Sequence, residues 1–212
     1  ANKEAYDFWK AKVRARIQEP RLRDILAPKI QPHGFGCKRI SLENGFYEIF
    51  NQPNVSLVDM NATPIIEVTE RGIKTTEKEW EFDYVVCATG FDALTGGLTQ
   101  IDIHGVSGET LAQKWKTGTK TYLGMTVSGF PNMFFTYGPQ APTALCNGPT
   151  CAEYQGDFIV NVMKSMKKEG FSRIEAEAEA EENWGNDVRK LAYSSLLPKT
   201  KSVSHPLSYL TR

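Results

Sequence analysis

A chain of 212 residues, 41% hydrophobic, is long enough to bury a substantial core and is expected to fold as one large domain or two small ones rather than to stay disordered. Its 25 basic and 25 acidic residues cancel, and neither sign gathers into a patch, which excludes nucleic acid or an acidic membrane surface as the expected partner. No run of eighteen apolar residues and no hydrophobic N-terminal block marks a span or a signal peptide, so the expected partners are small molecules or protein and the expected location is the cytoplasm.

Between Glu4 and Gln18, Ala5, Phe8, Trp9, Val13 and Ile17 recur at helical spacing with Lys10, Lys12, Arg14 and Arg16 between them, which predicts an amphipathic helix stopped by Pro20. Pro28, Pro32, Gly34 and Gly36 then predict a loop that leads to Cys37-Lys38-Arg39. A short helical turn is expected between Ser41 and Phe50, and a strand over Val55–Asp59. Ile65–Thr69, the turn Glu70-Arg71-Gly72 and Ile73–Thr76 alternate in polarity and predict a β-hairpin.

The most informative stretch runs from Asp83 to Asp92. Tyr84-Val85-Val86-Cys87-Ala88 is short, β-branched and almost uninterrupted, as in a strand covered on both faces in an α/β nucleotide-binding fold. Thr89-Gly90 ends it, and a glycine there can take a positive φ or let the main chain lie against a planar ligand. An ordinary strand followed by a turn accounts for the same ten residues.

Beyond a glycine-rich region from Leu94 to Gly108, Leu111 and Trp115 mark a brief helical stretch, and Met133–Tyr137 reads as another strand ended by Gly138-Pro139. Phe158, Ile159, Val162, Met163 and Met166 form one face of the clearest helix, which starts near Asn147-Gly148-Pro149-Thr150 and stops at Gly170. A second helix, Ala176 to Leu197, is acidic at its start and closes with Pro198; Lys199 to Arg212 has no periodicity. Cys37, Cys87, Cys146 and Cys151 contain no C-x-x-C pair, and His33, His104 and His205 lie far apart, so neither a metal site nor a disulfide scaffold is indicated. A Cys146 nucleophile with a distant histidine stays open, although nothing local marks an activated thiol.

Three segments taken together, Gly34-Phe35-Gly36-Cys37-Lys38-Arg39, Asn54-Val55-Ser56-Leu57-Val58-Asp59 and Ala88-Thr89-Gly90-Phe91-Asp92-Ala93-Leu94-Thr95-Gly96, resemble the Baeyer–Villiger monooxygenases of the flavin-containing monooxygenase superfamily. Thr121-Tyr122-Leu123-Gly124, Gly129-Phe130-Pro131-Asn132 and Gly138-Pro139-Gln140-Ala141-Pro142 extend the resemblance, which runs in one order from about Ala1 to about Ser202. It implies an α/β fold: part of a Rossmann-like flavoprotein with two dinucleotide-binding domains, a β-hairpin excursion and C-terminal helices. The implied divisions are the C-terminal part of an NADP-binding domain over 1–90, the C-terminal part of an FAD-binding domain over 91–202, and a divergent tail over 203–212.

The same resemblance implies FAD and NADP as cofactors and O2 with a ketone or heteroatom compound as substrates. Arg39 takes the catalytic place, where an arginine charged at any working pH stabilises an anionic oxygenated flavin and the adduct that follows. Lys38 takes the place that reaches the 2′-phosphate of NADPH. Ala88, Thr89, Gly90 and Asp92 match the turn against cofactor, and Asn147, Gly148 and Pro149 match the segment beside the flavin ring, where a helix N-terminus favours negative charge. An exposed basic pair and a plain helix cap are the bland readings of Lys38-Arg39 and Asn147–Pro149.

The sequence also departs from the family. It contains neither of the two G-x-G-x-x-G fingerprints, nor the F-x-G-x-x-x-H-x-x-x-W signature, and after Ser202 it runs Val203-Ser204-His205-Pro206-Leu207 where the family continues with a tryptophan and a G-x-N-x-P-G-K segment. The expectation is a C-terminal portion that calls for a complementary N-terminal chain; a non-enzymatic remnant or interaction subunit is the alternative.

Overall fold

In the computed structural model, which describes residues 1–38, 40–90, 95–141 and 146–200, the chain divides into two units. One comprises Ala1–Gly36 and Ile40–Gly90, the other Cys37–Arg39 and Phe91–Arg212.

The first unit is built on helix α1 (Asn2–Arg16) and helix α2 (Pro20–Leu26). Pro20 does end the pattern of α1, as expected, but it also begins α2. At the first helical position its missing N–H costs nothing and its fixed φ suits the helix. Val13, Ile17, Leu22 and Ala27 are buried between the helices, with Trp9, Tyr47, Phe50 and Leu57 packed on them. Arg14 donates to the carbonyls of Arg23, which also accepts the Ala27 N–H, and of Ala27, at the end of α2. Arg16 is clamped between Glu43 and Glu48 above the ring of Tyr47, and this pairing holds both carboxylates below their usual range.

The hairpin is found where alternation placed it, as β1 (Ile65–Val68) and β2 (Gly72–Thr75), and a third antiparallel strand, β3 (Glu79–Glu81), pairs Ile73 with Trp80. Gly72 lies so close to the Trp80 carbonyl that a Cβ would collide with it.

Three other predicted strands are not strands. Val55–Asp59, Tyr84–Ala88 and Met133–Tyr137 carry no ladder. Tyr84 and Val86 are each 88% exposed, the reverse of the burial that their composition calls for. An apolar β-branched run states what surroundings suit it, but a strand also needs a neighbour to bond. A parallel neighbour comes from far away in sequence, and the described residues supply none.

The second unit contains α3 (Gly96–Thr99), α4 (Leu111–Lys114), α5 (Gly148–Glu169) and α6 (Ala178–Tyr193). Thr110 and Gln113 form a reciprocal capping box that starts α4 and sets Leu111 and Trp115 into a core with Val127 and Phe130. Helix α6 anchors to that core through a buried carboxylate. Glu181, only 4% exposed, accepts from the Ser128 N–H at 2.9 Å and pairs with Lys114 at 3.1 Å. Beside it, Glu175 accepts from the Gly129 N–H at 2.7 Å; Arg173 and that N–H hold its carboxyl below the usual range. At the bridge between His104 and Thr110, the His104 Nε2 lies 2.8 Å from Asp102 and its Nδ1 3.3 Å from the Gly108 carbonyl.

Both long helices agree closely with their sequence signals: Asn147 caps α5, Gly170 ends it at φ 77°, and α6 opens with Glu179 and Glu181. The face of α5 is shifted, however. Gln155, Ile159, Val162 and Met166 form its inward stripe, while Phe158 and Met163 are exposed. No described helix is long and apolar enough to cross a membrane.

Candidate functional site

Conformational strain singles out one segment of the second unit. Leu123, Asn132, Tyr137 and Gln140 have φ between 53° and 63°, and they are the only non-glycine residues with left-handed backbone among those described. Such residues persist only where their surroundings over-determine them, and they cluster at functional sites. Two glycines make the bends fit. At Gly124 (φ 67°) a Cβ would lie 2.5 Å from the Ala141 nitrogen, and at Gly138 it would strike the Phe135 ring and come within 3.1 Å of the Gly124 carbonyl.

Side chains then lock the bends from within. The fully buried Thr121 hydroxyl lies 2.9 Å from Gln140 Oε1 and 3.1 Å from the Pro139 carbonyl, and Gln140 donates to the Thr119 carbonyl at 3.0 Å. From α5, the buried Gln155 accepts from the Tyr137 N–H at 2.6 Å. The strained segment and the first turns of the long helix are thereby one piece.

Asn147, Gly148 and Pro149 stand together at the start of α5. The Asn147 side chain accepts from the Thr150 N–H at 3.2 Å, Pro149 has no N–H, and the Gly148 N–H has no partner among the described residues. A Cβ at Gly148 would meet the Tyr137 ring at 3.5 Å, so this end of the helix rests on the strained turn. Cys146 and Cys151, on either side of the cap, are joined as a disulfide, which corrects the expectation that no pairing was indicated.

Of the remaining expected site residues, Lys38 is exposed and makes no hydrogen bond or ion pair among the described residues. Ala88, Thr89 and Gly90 are exposed at the end of the first unit, with Gly90 at φ 87° and no atom within 4 Å of where a Cβ would stand. Arg39 and Asp92 lie outside the described residues. The first unit also holds a cavity of about 510 Å³ lined by Arg21, Asn51, Lys78 and Trp80, with Ala88, Thr89 and Gly90 outside its lining. Among the described residues, no three His, Cys, Asp or Glu are placed to hold a metal.

No protein-family model matches the chain. Over 202 residues it is 51% identical to cyclopentanone 1,2-monooxygenase of a Comamonas species, a match that covers 95% of this chain and 37% of that enzyme. Cyclohexanone 1,2-monooxygenase of an Acinetobacter species is 37% identical over 95% of the chain and 36% of its own length. The relatives are Baeyer–Villiger monooxygenases. Among solved structures of these enzymes, OTEMO in complex with FAD and NADP superposes with a TM-score of 0.91 at 38% identity, over 95% of this chain and 38% of that one. Oxidized steroid monooxygenase bound to NADP superposes at 0.88 and 39% identity, over 95% and 38%. The chain thus spans little more than a third of the Baeyer–Villiger monooxygenases it matches.

The helix cap was legible because its signal is local; Thr121 and Gln140 appeared only inside motifs of the resemblance, with no sign of their contact, and Gln155 was passed over. Gln155 carried one usable signal, an amide on the inward stripe of an apolar helix, which must find a partner when buried.

Proposed function

We propose that this chain forms the C-terminal part of an FAD- and NADPH-dependent Baeyer–Villiger monooxygenase. In the overall reaction a ketone, O2, NADPH and a proton give an ester or lactone, NADP+ and water; heteroatom oxidation is the related outcome. The observation that carries this reading is the 51% identity to cyclopentanone monooxygenase across 95% of the chain. The proposed divisions are an NADP-domain portion over 1–90 and an FAD-domain portion over 91–202, both of Rossmann type.

The residues present suit one end of the flavin and one phosphate. In the first unit Gly90, open on its Cβ side, is suited to lie against a planar ring; in the second, the start of α5, with the Gly148 N–H unpartnered among the described residues, is suited to negative charge. Lys38, exposed and unpaired among the described residues, supplies a mobile point charge for a 2′-phosphate. No G-x-G-x-x-G turn is present for a pyrophosphate, so those contacts fall to a complementary N-terminal portion. When bound, NADPH would supply the hydride and the flavin the oxygen chemistry. Arg39 holds fixed positive charge where negative charge develops on oxygen, Ala88, Thr89, Gly90 and Asp92 shape the wall, and Asn147, Gly148 and Pro149 set the helix terminus.

The test is a chimera in which the matched segment of the Comamonas enzyme is replaced by residues of this chain. It is expected to retain flavin and to oxidise NADPH with formation of a lactone from cyclopentanone. A folded, flavin-loaded chimera that forms no oxygenated product from any ketone would contradict the reading. That outcome would favour the second reading, an interaction subunit that keeps the fold without the oxidation, to which the exposed Tyr84 and Val86 also point.

A further inference from the structure

We propose that Cys146 and Cys151 are a peroxide-sensitive modification site, a reversible covalent staple across the N-terminus of α5. With Asn147 as the cap, Cys146 occupies the position just before it and Cys151 the fourth helical position. These are the two places whose side chains meet in a hydrophobic staple. Helix geometry therefore favours the approach of the two side chains, and the Cα–Cα distance of 6.7 Å lies within the range of about 4.4–6.8 Å that a disulfide spans.

Both residues are half-buried rather than sealed in the core, so a small oxidant and a dithiol reductant can reach them. Cys37 and Cys87 are free and take no part in the pair. The inference rests on this local geometry and is independent of the proposed oxygenation.

The chemistry balances with hydrogen peroxide as oxidant. The Cys151 thiolate, inside the first turns and favoured by the partial positive charge there, attacks one peroxide oxygen. The O–O bond breaks, water leaves after protonation, and Cys151 becomes a sulfenic acid. The Cys146 thiol then attacks that sulfur, the S–S bond forms and the second oxygen leaves as water. Two thiols have lost two electrons and two protons, and both oxygens of the peroxide are reduced. A dithiol reverses the step by exchange.

The pair closes a very short loop, its partners five positions apart in sequence. It therefore acts chiefly on the local opening of the helix start rather than on the whole unfolded chain. Oxidation fixes the cap that carries Asn147 and the Gly148 N–H; reduction leaves it to non-covalent contacts, the Thr150 N–H and hydroxyl donating to the Asn147 side chain and the Cys151 N–H to the Asn147 carbonyl.

The experiment uses the full chain, reduced, treated with one equivalent of hydrogen peroxide, alkylated and digested with trypsin. No Lys or Arg lies between Lys120 and Lys164, so both cysteines fall in one peptide, 121–164. That peptide is expected to become two hydrogens lighter and to lose both alkylation sites, while Cys37 and Cys87 stay alkylated; dithiothreitol should restore it. Hydrogen exchange at the first turns of α5 should slow at least about tenfold on oxidation. In Cys146→Ser a dimedone adduct should accumulate on Cys151, and Cys151→Ser should react at least about tenfold more slowly. Retention of both alkylation sites, pairing to Cys37, Cys87 or a second chain, or unchanged exchange would overturn the proposal. The wild-type mapping decides this even where a variant does not fold.

Discussion

Replacing Gly124 by alanine tests how tightly the strained segment is folded back on itself. At φ 67° a Cβ costs about 1–2 kcal/mol in any surroundings, because it approaches the following carbonyl. Here it would also stand 2.5 Å from the Ala141 nitrogen and 2.6 Å from its Cα, where only a backbone shift relieves the clash, and overpacking of this kind costs about 1–3 kcal/mol more. Gly129 provides the control, since it too has a positive φ, 86°, but no atom lies within 4 Å of its missing Cβ. Gly129→Ala is therefore expected to cost about 1–2 kcal/mol and Gly124→Ala about 2–5 kcal/mol, read as midpoint shifts in urea at unchanged slope. Equal losses in the two variants would refute the close approach of Gly124 to Ala141.

Gln155→Leu leaves the Tyr137 N–H without its acceptor inside a strained turn, so a loss of about 1–3 kcal/mol is expected, with faster exchange at the Tyr137 amide. His104 has its pKa raised by the Asp102 carboxylate first and the Gly108 carbonyl second. Its contribution is thus fully present below the unfolded value near 6.5 and is lost as pH rises through the folded one. Proton NMR should show a His104 titration that moves down in Asp102→Asn. In the chimera, Lys38→Ala should lower the preference for NADPH over NADH, and an unchanged preference would remove Lys38 from the phosphate site. Arg39→Ala should abolish oxygen insertion while flavin reduction by NADPH persists; equal loss of both steps would show the wrong role.

What was legible in the sequence follows from the range of the forces involved. Helix starts and stops are local, so Asn147, Gly170 and the acidic opening of α6 could be read directly, and so could the hairpin through Gly72. Pro20 was legible as a stop and not as a start, because one residue serves both. The runs at Val55, Tyr84 and Met133 announced apolar surroundings without naming a strand to bond. Among the described residues they find none, and so remain unpaired. The residues of the strained segment carried part of the resemblance, but its folding back on itself could not be read. Gly124 meets Ala141, Thr121 meets Gln140, and Tyr137 meets Gln155 only after the chain has folded, and no spacing rule joins such pairs. The expected catalytic Arg39 and the cofactor-facing Asp92 came from resemblance rather than from pattern, and both lie outside the described residues.

The most direct measurement is the fate of labelled oxygen. The chimera bearing this chain, supplied with NADPH, cyclopentanone and 18O2, should yield a lactone that carries one labelled atom, with the other in water. A folded, flavin-containing chimera that consumes NADPH and 18O2 but leaves the ketone unlabelled and intact would contradict the account.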